Sequence, residues 1–294
     1  MTRRAPAFGL SSLLALALVP AVAQALAEFG IEGMGVVSTR AHETGATVSP
    51  DGQRIVFASE RDGGRGGSDL WQAVLRDGRW QDAAPLALNS GADELEPAFS
   101  ADGAWLYFAS DREGGVGGFD LYRASVQDGT VGAAESLPRT VNSAGHERAP
   151  MPVPDGTRLL LASDGHGGAG GLDLFEARRS DDGWSTPVAL SALNTPADDA
   201  SAALLPSGAL VFERADAAGT ARLHRATCGN NGWTYAGVLA LSFNTEGGAT
   251  RRPVPDWNAP DELLVAGSAR APRAGGLDLY RMRAPRAAPG GTCE

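Results

Sequence analysis

Acidic and histidine residues recur in adjacent pairs along the chain, about fifty residues apart, and they are the residues best suited to binding chemistry. The pairs are His42-Glu43, Asp93-Glu94, His146-Glu147 and Asp198-Asp199. Carboxylates and imidazoles gathered at one place could hold a cation, a sugar or a basic peptide. Like charges so arranged would raise one another's pKa unless a cation neutralised them. We predict a ligand-binding ring, with Arg148, Arg251 and Arg252 beside it to offset its charge.

Two alternatives to this ring follow from the same residues. Each acid could cap its own strand or bond to the backbone of a neighbouring unit, because exposed acids at the ends of repeats are ordinary. The ring could also bind calcium as a structural ion. His42-Glu43 and His146-Glu147 resemble half of a metal site, but the chain has no His-x-x-x-His spacing. Zinc catalysis normally needs three protein ligands, so we predict no catalytic metal and no cofactor.

Three markers show that the acids belong to an internal repeat. A turn residue recurs at Asp51, Asp102, Asp155, Ser207 and Asp256, an asparagine at Asn89, Asn142, Asn194 and Asn244, and an Asp-Leu-aromatic triplet at Asp69, Asp120, Asp173 and Asp278, with Arg222-Leu223-His224 as a degraded copy. Markers in phase at this period indicate repeated supersecondary units. The five units lie near 40–90, 91–143, 144–196, 197–245 and 246–284.

Each unit reads as four strands. The first carries proline at Pro97 and Pro150, which suits an edge strand, and the second is a buried apolar run such as Ile55-Val56-Phe57. Glycine-rich hairpin connections with positive φ precede the third strand. The pattern predicts an all-β, five-bladed β-propeller of four-stranded antiparallel blades. The N-terminal segment Gly35–Thr39 would close the last blade, and Trp257, which breaks the turn pattern, could be an exposed stacking platform.

The repeat resembles the WD40-like propeller repeats of the TolB type, found in exported envelope proteins. The matching pieces are Ser-x-Asp-Gly before an apolar run and SDREGGVGGFDLY, with the recurring asparagine before the next unit. The resemblance implies a propeller in the cell envelope that acts as an interaction scaffold. The chain departs from the Tol-system protein in having five units rather than six and no N-terminal α/β domain.

The N-terminus predicts export. Arg3 and Arg4 precede an apolar run from Leu10 to Val19, and Ala23-Gln24-Ala25 is a small-x-small cleavage site. We assign 1–25 to a signal peptide, 26–284 to the propeller and 285–294 to a C-terminal tail. No cysteine lies near the cleavage site, so the protein should be periplasmic or secreted and not a lipoprotein. In such a compartment Cys228 and Cys293 favour a disulfide, with two free thiols as the alternative.

Net charge and composition exclude several classes of binding partner. The formal charge is −10, which argues against nucleic acid and anionic membranes, and the longest apolar run is too short to span a bilayer. No Gly-x-Ser-x-Gly elbow is present. We expect a monomeric, non-catalytic module that binds an envelope protein or a polysaccharide or peptidoglycan-related ligand. The alternative is a five-bladed glycoside hydrolase or sugar-binding protein, in which an acid/base pair of carboxylates lines the channel.

Overall fold

The chain folds into a ring of five antiparallel sheets. The computed structural model describes residues 29–181, 183–230, 232–239, 248–268 and 272–285. The first strands of the five sheets contact one another in a closed circle around an axis, which is the five-bladed β-propeller predicted from the repeats. The described part of the chain contains strands and turns, and it has no helix able to cross a membrane. The predicted signal peptide lies outside the described residues.

Four consecutive strands form each blade, except that the first strand of the chain completes the last blade. Blade one contains β2 (Glu43–Val48), β3 (Arg54–Ser59), β4 (Asp69–Arg76) and β5 (Arg79–Pro85). Blade two contains β6 (Glu94–Phe99), β7 (Trp105–Ser110), β8 (Asp120–Gln127) and β9 (Thr130–Ser136). Blade three contains β10 (Glu147–Pro152), β11 (Arg158–Ser163), β12 (Asp173–Ser180) and an outer strand in two pieces, β13 (Gly183–Trp184) and β14 (Val188–Ala189).

The remaining two blades follow the same order from the axis outward. Blade four contains β15 (Asp199–Leu204), β16 (Leu210–Ala215), β17 (Ala221–Gly229) and β18 (Gly232–Val238). Blade five contains β19 (Thr250–Pro255), β20 (Glu262–Gly267), β21 (Asp278–Arg283) and β1 (Phe29–Ile31). We call the face where the inner strands begin the entry face, and the opposite face, where first and second strands are joined, the turn face.

Apolar second strands hold neighbouring blades together. Ile55, Val56 and Phe57 of β3 are completely buried, as are Leu106 and Phe108 of β7. Because consecutive side chains of a strand point to opposite faces, such a run packs against both adjacent blades. Burial of the run on both faces confirms the assignment of these strands to the middle of their sheets, and we call the contact between two blades a seam.

The ring closes by pairing the two ends of the described chain. In β1, Phe29 lies opposite Met282 and Ile31 lies opposite Tyr280 of β21. The closing strand is therefore Phe29–Ile31 and not the predicted 35–39. The reason is that Ser38 takes the place of the recurring asparagine, and in the other blades that asparagine follows the outer strand. The Ser38 hydroxyl accepts the Leu279 N–H at 3.1 Å and donates to the Leu279 carbonyl at 3.3 Å.

The asparagines act as extra backbone partners for the third strands. Asn89 accepts the Leu70 N–H at 3.1 Å and donates to the Leu70 carbonyl at 2.9 Å. Asn142 forms the same two bonds with Leu121, and Asn194 forms them with Leu174. Asn244 lies outside the described residues. Each amide therefore continues the hydrogen-bond ladder where the chain leaves one blade for the next.

Only one glycine in each of the first three glycine-rich loops has the positive φ that we predicted. In blade two it is Gly114, with φ of 88°. Gly117 and Gly118 have no such φ, and they are required for close approach. A Cβ on Gly117 would collide with the Gly145 carbonyl, and one on Gly118 would collide with the His146 ring. These glycines allow the loop of one blade to lie flat against the entry segment of the next.

Blade five departs from the repeat by two residues. Glu94 lies eight residues before the turn acid Asp102, and the same interval before Asp256 predicts Gly248 at the start of the inner strand. Instead β19 begins at Thr250, which lies opposite Gly267 as Glu147 lies opposite Ser163. The difference of two residues arises because Asp256 is the first residue of its turn. In the other blades the recurring turn position, such as Asp51, is the third residue. Trp257 in that turn is half-buried, not an exposed platform, and its Nε1 donates to the Phe99 carbonyl at 2.8 Å.

Cys228, near the end of β17, is buried and disulfide-bonded. Its predicted partner Cys293 lies outside the described residues, so the pairing itself stays a prediction.

Candidate functional site

The second member of each predicted pair is a completely buried acid. Glu43, Glu94, Glu147 and Asp199 all have no exposed surface. Each accepts hydrogen bonds from both the backbone N–H and the hydroxyl of the residue four positions earlier, which is Thr39, Ser90, Ser143 or Thr195. In the first three blades a serine of the second strand donates as well, as Ser110 does to Glu94 at 3.0 Å.

A cation from the same blade completes three of these networks and extends them across the seam. Arg112 Nη2 lies 2.9 Å from Glu94 Oε1 and also donates to the Leu88 carbonyl of the preceding blade. Arg61 does the same for Glu43, and burial lowers the pKa of Arg61. Arg214 pairs with Asp199, whose pKa is raised because burial outweighs that pairing.

Blade three has a histidine where blades one and two have arginine. His166 Nε2 lies 2.6 Å from the Val141 carbonyl and 3.8 Å from Glu147 Oε1. A neutral imidazole donates to the carbonyl but supplies no charge to Glu147. Glu147 therefore lacks the permanent guanidinium charge that Arg61 and Arg112 supply to Glu43 and Glu94.

The first member of each pair bonds to the preceding blade. Asp93 accepts the Ser68 N–H at 2.8 Å and Asp198 accepts the Leu172 N–H at 3.1 Å. His146 Nδ1 accepts the Phe119 N–H in the same way. His42 Nδ1 accepts the Leu277 N–H at 3.2 Å, which connects blade one to blade five. An imidazole nitrogen that accepts a hydrogen bond carries no proton, so both histidines hold their proton on Nε2.

The predicted ring is thus distributed over separate seams. Its acids face N–H and O–H donors of their own and the neighbouring blade, which matches the capping alternative given above. These hydrogen bonds compensate the burial of the carboxylates. Among the described residues there is no group of three or more His, Cys, Asp or Glu placed to hold a metal ion.

A different set of charged residues lies at the axis. Glu96, Ala149 and Arg252 hold the third position of their inner strands, have φ of 63°, 51° and 56°, and each precedes a proline. The strand register shifts at these points. Such bulges re-aim side chains, and here Glu96 and Arg252 meet although they belong to blades two and five.

Glu96 connects three blades. It accepts a hydrogen bond from Arg148 Nε at 2.7 Å, another from the Ala149 N–H, and it pairs with Arg252. Arg252 packs over Gly45 of blade one, its Cγ lying 3.6 Å from the position a Cβ would take there. Arg252 therefore contacts blade one through its aliphatic carbons and blade two through its guanidinium.

Glu213 is the second axial carboxylate. Its Oε2 accepts hydrogen bonds from Ser201 Oγ and from the Arg252 N–H, both at 3.2 Å. Burial raises the pKa of Glu213, and the nearby Arg251 opposes that rise. We call Glu96, Arg148, Arg251, Arg252 and Glu213 the axial cluster. It carries three cations and two carboxylates on a protein of net negative charge.

The axial cluster closes the channel. The cavity among the five inner strands has a volume of about 20 Å³ and is lined by residues of every blade, among them Gly45, Pro97, Pro150, Ser201 and Pro253. That volume holds roughly one water molecule. Arg252 is one of the lining residues, and within the described part of the chain its buried Nη1 has no hydrogen-bond acceptor.

Arg148 and Arg251 mark the entry-face end of the cluster, and they hold the same position in β10 and β19. The Arg148 guanidinium lies 4.3 Å from the centre of the Phe119 ring, which orients it by a cation–π contact. Arg251 is exposed, and among the described residues its side chain forms no ion pair or hydrogen bond. Burial lowers the pKa of Arg148, and Glu213, followed by Asp111 and Asp93, opposes this. The mouth is therefore positive at its centre and acidic at its rim.

Sequence reasoning placed Arg148, Arg251 and Arg252 beside the site but missed Glu96 and Glu213. A usable signal was present: the proline three residues into the inner strand recurs as Pro97, Pro150 and Pro253, and the residue before each is the bulged one. Glu213 has no comparable marker, because the other four units carry alanine at the corresponding point of the second strand.

The axial carboxylates have one property of an acid/base pair. Glycoside hydrolysis uses a neutral acid beside an ionised one. Burial favours the neutral form of Glu213, and Glu96 pairs with Arg148 and Arg252. Both residues are buried, however, and the adjoining space admits only a water-sized group. A sugar ring does not reach either carboxylate in this arrangement.

No protein-family model and no curated protein sequence matches the chain. Solved structures share its fold. A protein assigned as TolB from Agrobacterium tumefaciens superposes with a TM-score of 0.52 at 12% identity, over 83% of this chain and 91% of the other.

Two glycoside hydrolases share the fold to the same degree. The α-L-arabinofuranosidase PaAbf62A of Podospora anserina, determined with cellotriose, gives a TM-score of 0.54 at 15% identity over 89% of this chain and 98% of the other. The catalytic domain of the GH62 α-L-arabinofuranosidase of Coprinopsis cinerea gives 0.52 at 13% over 87% and 97%. At such identities the likeness shows the propeller fold alone, so function must be argued from the site.

Proposed function

We propose that the protein is an exported, non-catalytic propeller module that binds an envelope protein or polymer at the mouth of its closed channel. The observation that carries the proposal is the pair Arg148 and Arg251, which hold equivalent positions on two inner strands at the entry face. Arg148 is held in orientation by Phe119, and Arg251 is exposed without a partner in the described part of the chain.

The charges indicate what the mouth binds. Its centre would attract an anionic group, whereas Asp93 and Asp111 near Arg148 would repel a polyanion. A ligand with isolated carboxylates, such as a protein surface or the peptide part of peptidoglycan, fits this distribution. Periplasmic or secreted location rests on the leader sequence, which the described residues do not include.

Capture with matched charge variants tests the proposal. The purified mature chain is immobilised and exposed separately to solubilised envelope proteins and to purified peptidoglycan, as wild type and as Arg251→Glu. Arg225→Glu is the control, because Arg225 is exposed on the third strand of blade four, away from the axis. We expect Arg251→Glu to lose the retained species and Arg225→Glu to keep it. Equal retention by both variants would reject the mouth as the site.

The glycosidase alternative is tested in the same preparation. Incubation with a panel of arabinose- and xylose-containing glycans should release no sugar. Release that is abolished by Glu213→Gln would establish hydrolysis and replace the binding proposal.

A further inference from the structure

A groove at the seam between blades five and one is larger than its counterpart in the next seam. It opens on the turn face, has a volume of about 680 Å³, and is lined by residues that include Gly78, Trp80, Glu262 and Arg281. The groove between blades one and two measures about 270 Å³. Both are bounded by the turn after an inner strand and by the outer hairpin of the next blade.

An arginine fills the smaller groove. Arg54, the first residue of β3, crosses from blade one to the hairpin of blade two, where a Cβ on Gly129 would collide with its guanidinium. The hairpin turn Asp128-Gly129 has φ values of 49° and 73°. A planar guanidinium can lie on such a turn because glycine presents no side chain there.

The same turn is uncovered in the larger groove. Asp77-Gly78 has φ values of 50° and 70°, so its backbone matches Asp128-Gly129, yet nothing lies within 4 Å of a Cβ built on Gly78. The residue at the place of Arg54 is Glu262, the first of β20, which pairs with Arg281 at 2.9 Å. A carboxylate therefore replaces the guanidinium, and the surface that Arg54 covers in one seam is free in the other.

The charge and apolar surface of the groove suit a basic side chain with an apolar neighbour. Glu32 and Asp256 also pair with Arg281, so three carboxylates share this one arginine, and the exposed Arg79 is the other cation of the lining. The Glu262 side chain is 41% exposed. Met34, 55% exposed, lies among apolar lining residues that include Val36, Val48 and Leu75.

We propose that this groove docks a partner protein segment that carries an arginine next to an apolar residue. The arginine would lie on the Asp77-Gly78 turn as Arg54 lies on its own, and it would pair with Glu262. The apolar neighbour would contact Met34 and Leu75. This surface is on the turn face, so the inference stands independently of the channel mouth.

Short capped peptides test the chemistry directly. Ac-Leu-Arg-Gly-NH2 is titrated into the mature protein labelled with ¹⁵N, and the Trp80 indole N–H signal is followed, because that group lines the groove and bonds to Glu32. We expect saturable shifts. The citrulline peptide, which keeps the shape but lacks the charge, should bind at least about fivefold more weakly. Equal affinity of the two peptides would overturn the proposal.

Two variants of Glu262 locate the interaction. Glu262→Arg should cover the turn from within the protein, as Arg54 does, and abolish the titration, while Glu262→Gln should weaken it and leave the fold intact. Glu135→Arg makes the same charge change on the outer strand of blade two and should bind as wild type. Binding unchanged in folded Glu262→Gln, or shifts confined to the entry face, would show that the groove is not the site. Neither result would alter the capture experiment at the mouth.

Discussion

Removal of one seam carboxylate should cost a large part of the stability. Glu94 is completely buried and receives hydrogen bonds from the Ser90 backbone and hydroxyl, from Ser110 and from Arg112, whose side chain is only 16% exposed. Glu94→Ala leaves that guanidinium without an anion. Breaking a buried pair in this way costs about 3–5 kcal/mol, and for a domain of this size that lowers Tm by roughly 6–20 °C.

The assay is urea and thermal unfolding at pH 7.5 with the disulfide intact, followed by tryptophan fluorescence and far-UV circular dichroism. Glu94→Gln keeps the shape but not the charge, so it should lose less than Glu94→Ala. Glu135→Ala is the control: its pair with Arg123 is exposed, and such pairs contribute about 1 kcal/mol or less.

A double-mutant cycle isolates the interaction free energy between Glu94 and Arg112 from their contacts with other residues. With Arg112→Met in place, Glu94→Ala should cost less than it does alone, because no buried cation is then left unpaired. A loss from Glu94→Ala of under about 1 kcal/mol would refute the argument that these acids stabilise the seams. The acids would then again be candidates for binding a ligand.

Three further outcomes follow from single residues. Burial and the nearby Arg214 lower the pKa of His224 to about 4, so its ring signals in NMR should titrate near that value. Because the unfolded chain takes up this proton at higher pH, the free energy of unfolding should fall as the pH drops from about 6.5. An NMR titration midpoint above about 6 would contradict the lowered pKa. Gly117→Ala, which drives a Cβ into a backbone carbonyl, should cost about 1–3 kcal/mol, whereas Gly91→Ala, with open space around it, should change Tm little. His166→Arg should raise Tm at pH 7.5, because arginine carries a permanent charge beside Glu147 as Arg112 does beside Glu94; an unchanged Tm would show that this charge does not stabilise the seam.

The architecture could be predicted from the sequence because its determinants are local. Turn residues, an apolar run and a triplet recur within each unit, and every copy repeats the same short-range chemistry, as in Asn89 and Asn142. The closing strand was placed late in sequence because Ser38 performs the asparagine's role with a different side chain, and spacing alone does not reveal that substitution.

The candidate site was harder to predict because it depends on distances across the ring. Acids that recur at the repeat spacing, such as Glu43 and Glu94, suggest a shared ring. The spacing does not determine whether their side chains point to the axis or into a seam between blades. The pairing of Glu96 with Arg252 joins residues far apart in the chain through bulges that shift the alternation of side chains by one position. Only the three-dimensional register reveals it.

Ring closure by β1 has a consequence for how the molecule is made. Among the described strands β1 is the first in sequence and its partner β21 is the last, so during synthesis β1 remains unpaired until the other described strands have been added. Until β1 and β21 pair, the incomplete ring exposes unpaired strand edges, to which other chains can bind. Joining such distant segments is slow, and we therefore expect the step most vulnerable to misassembly to be the final docking of residues 29–31.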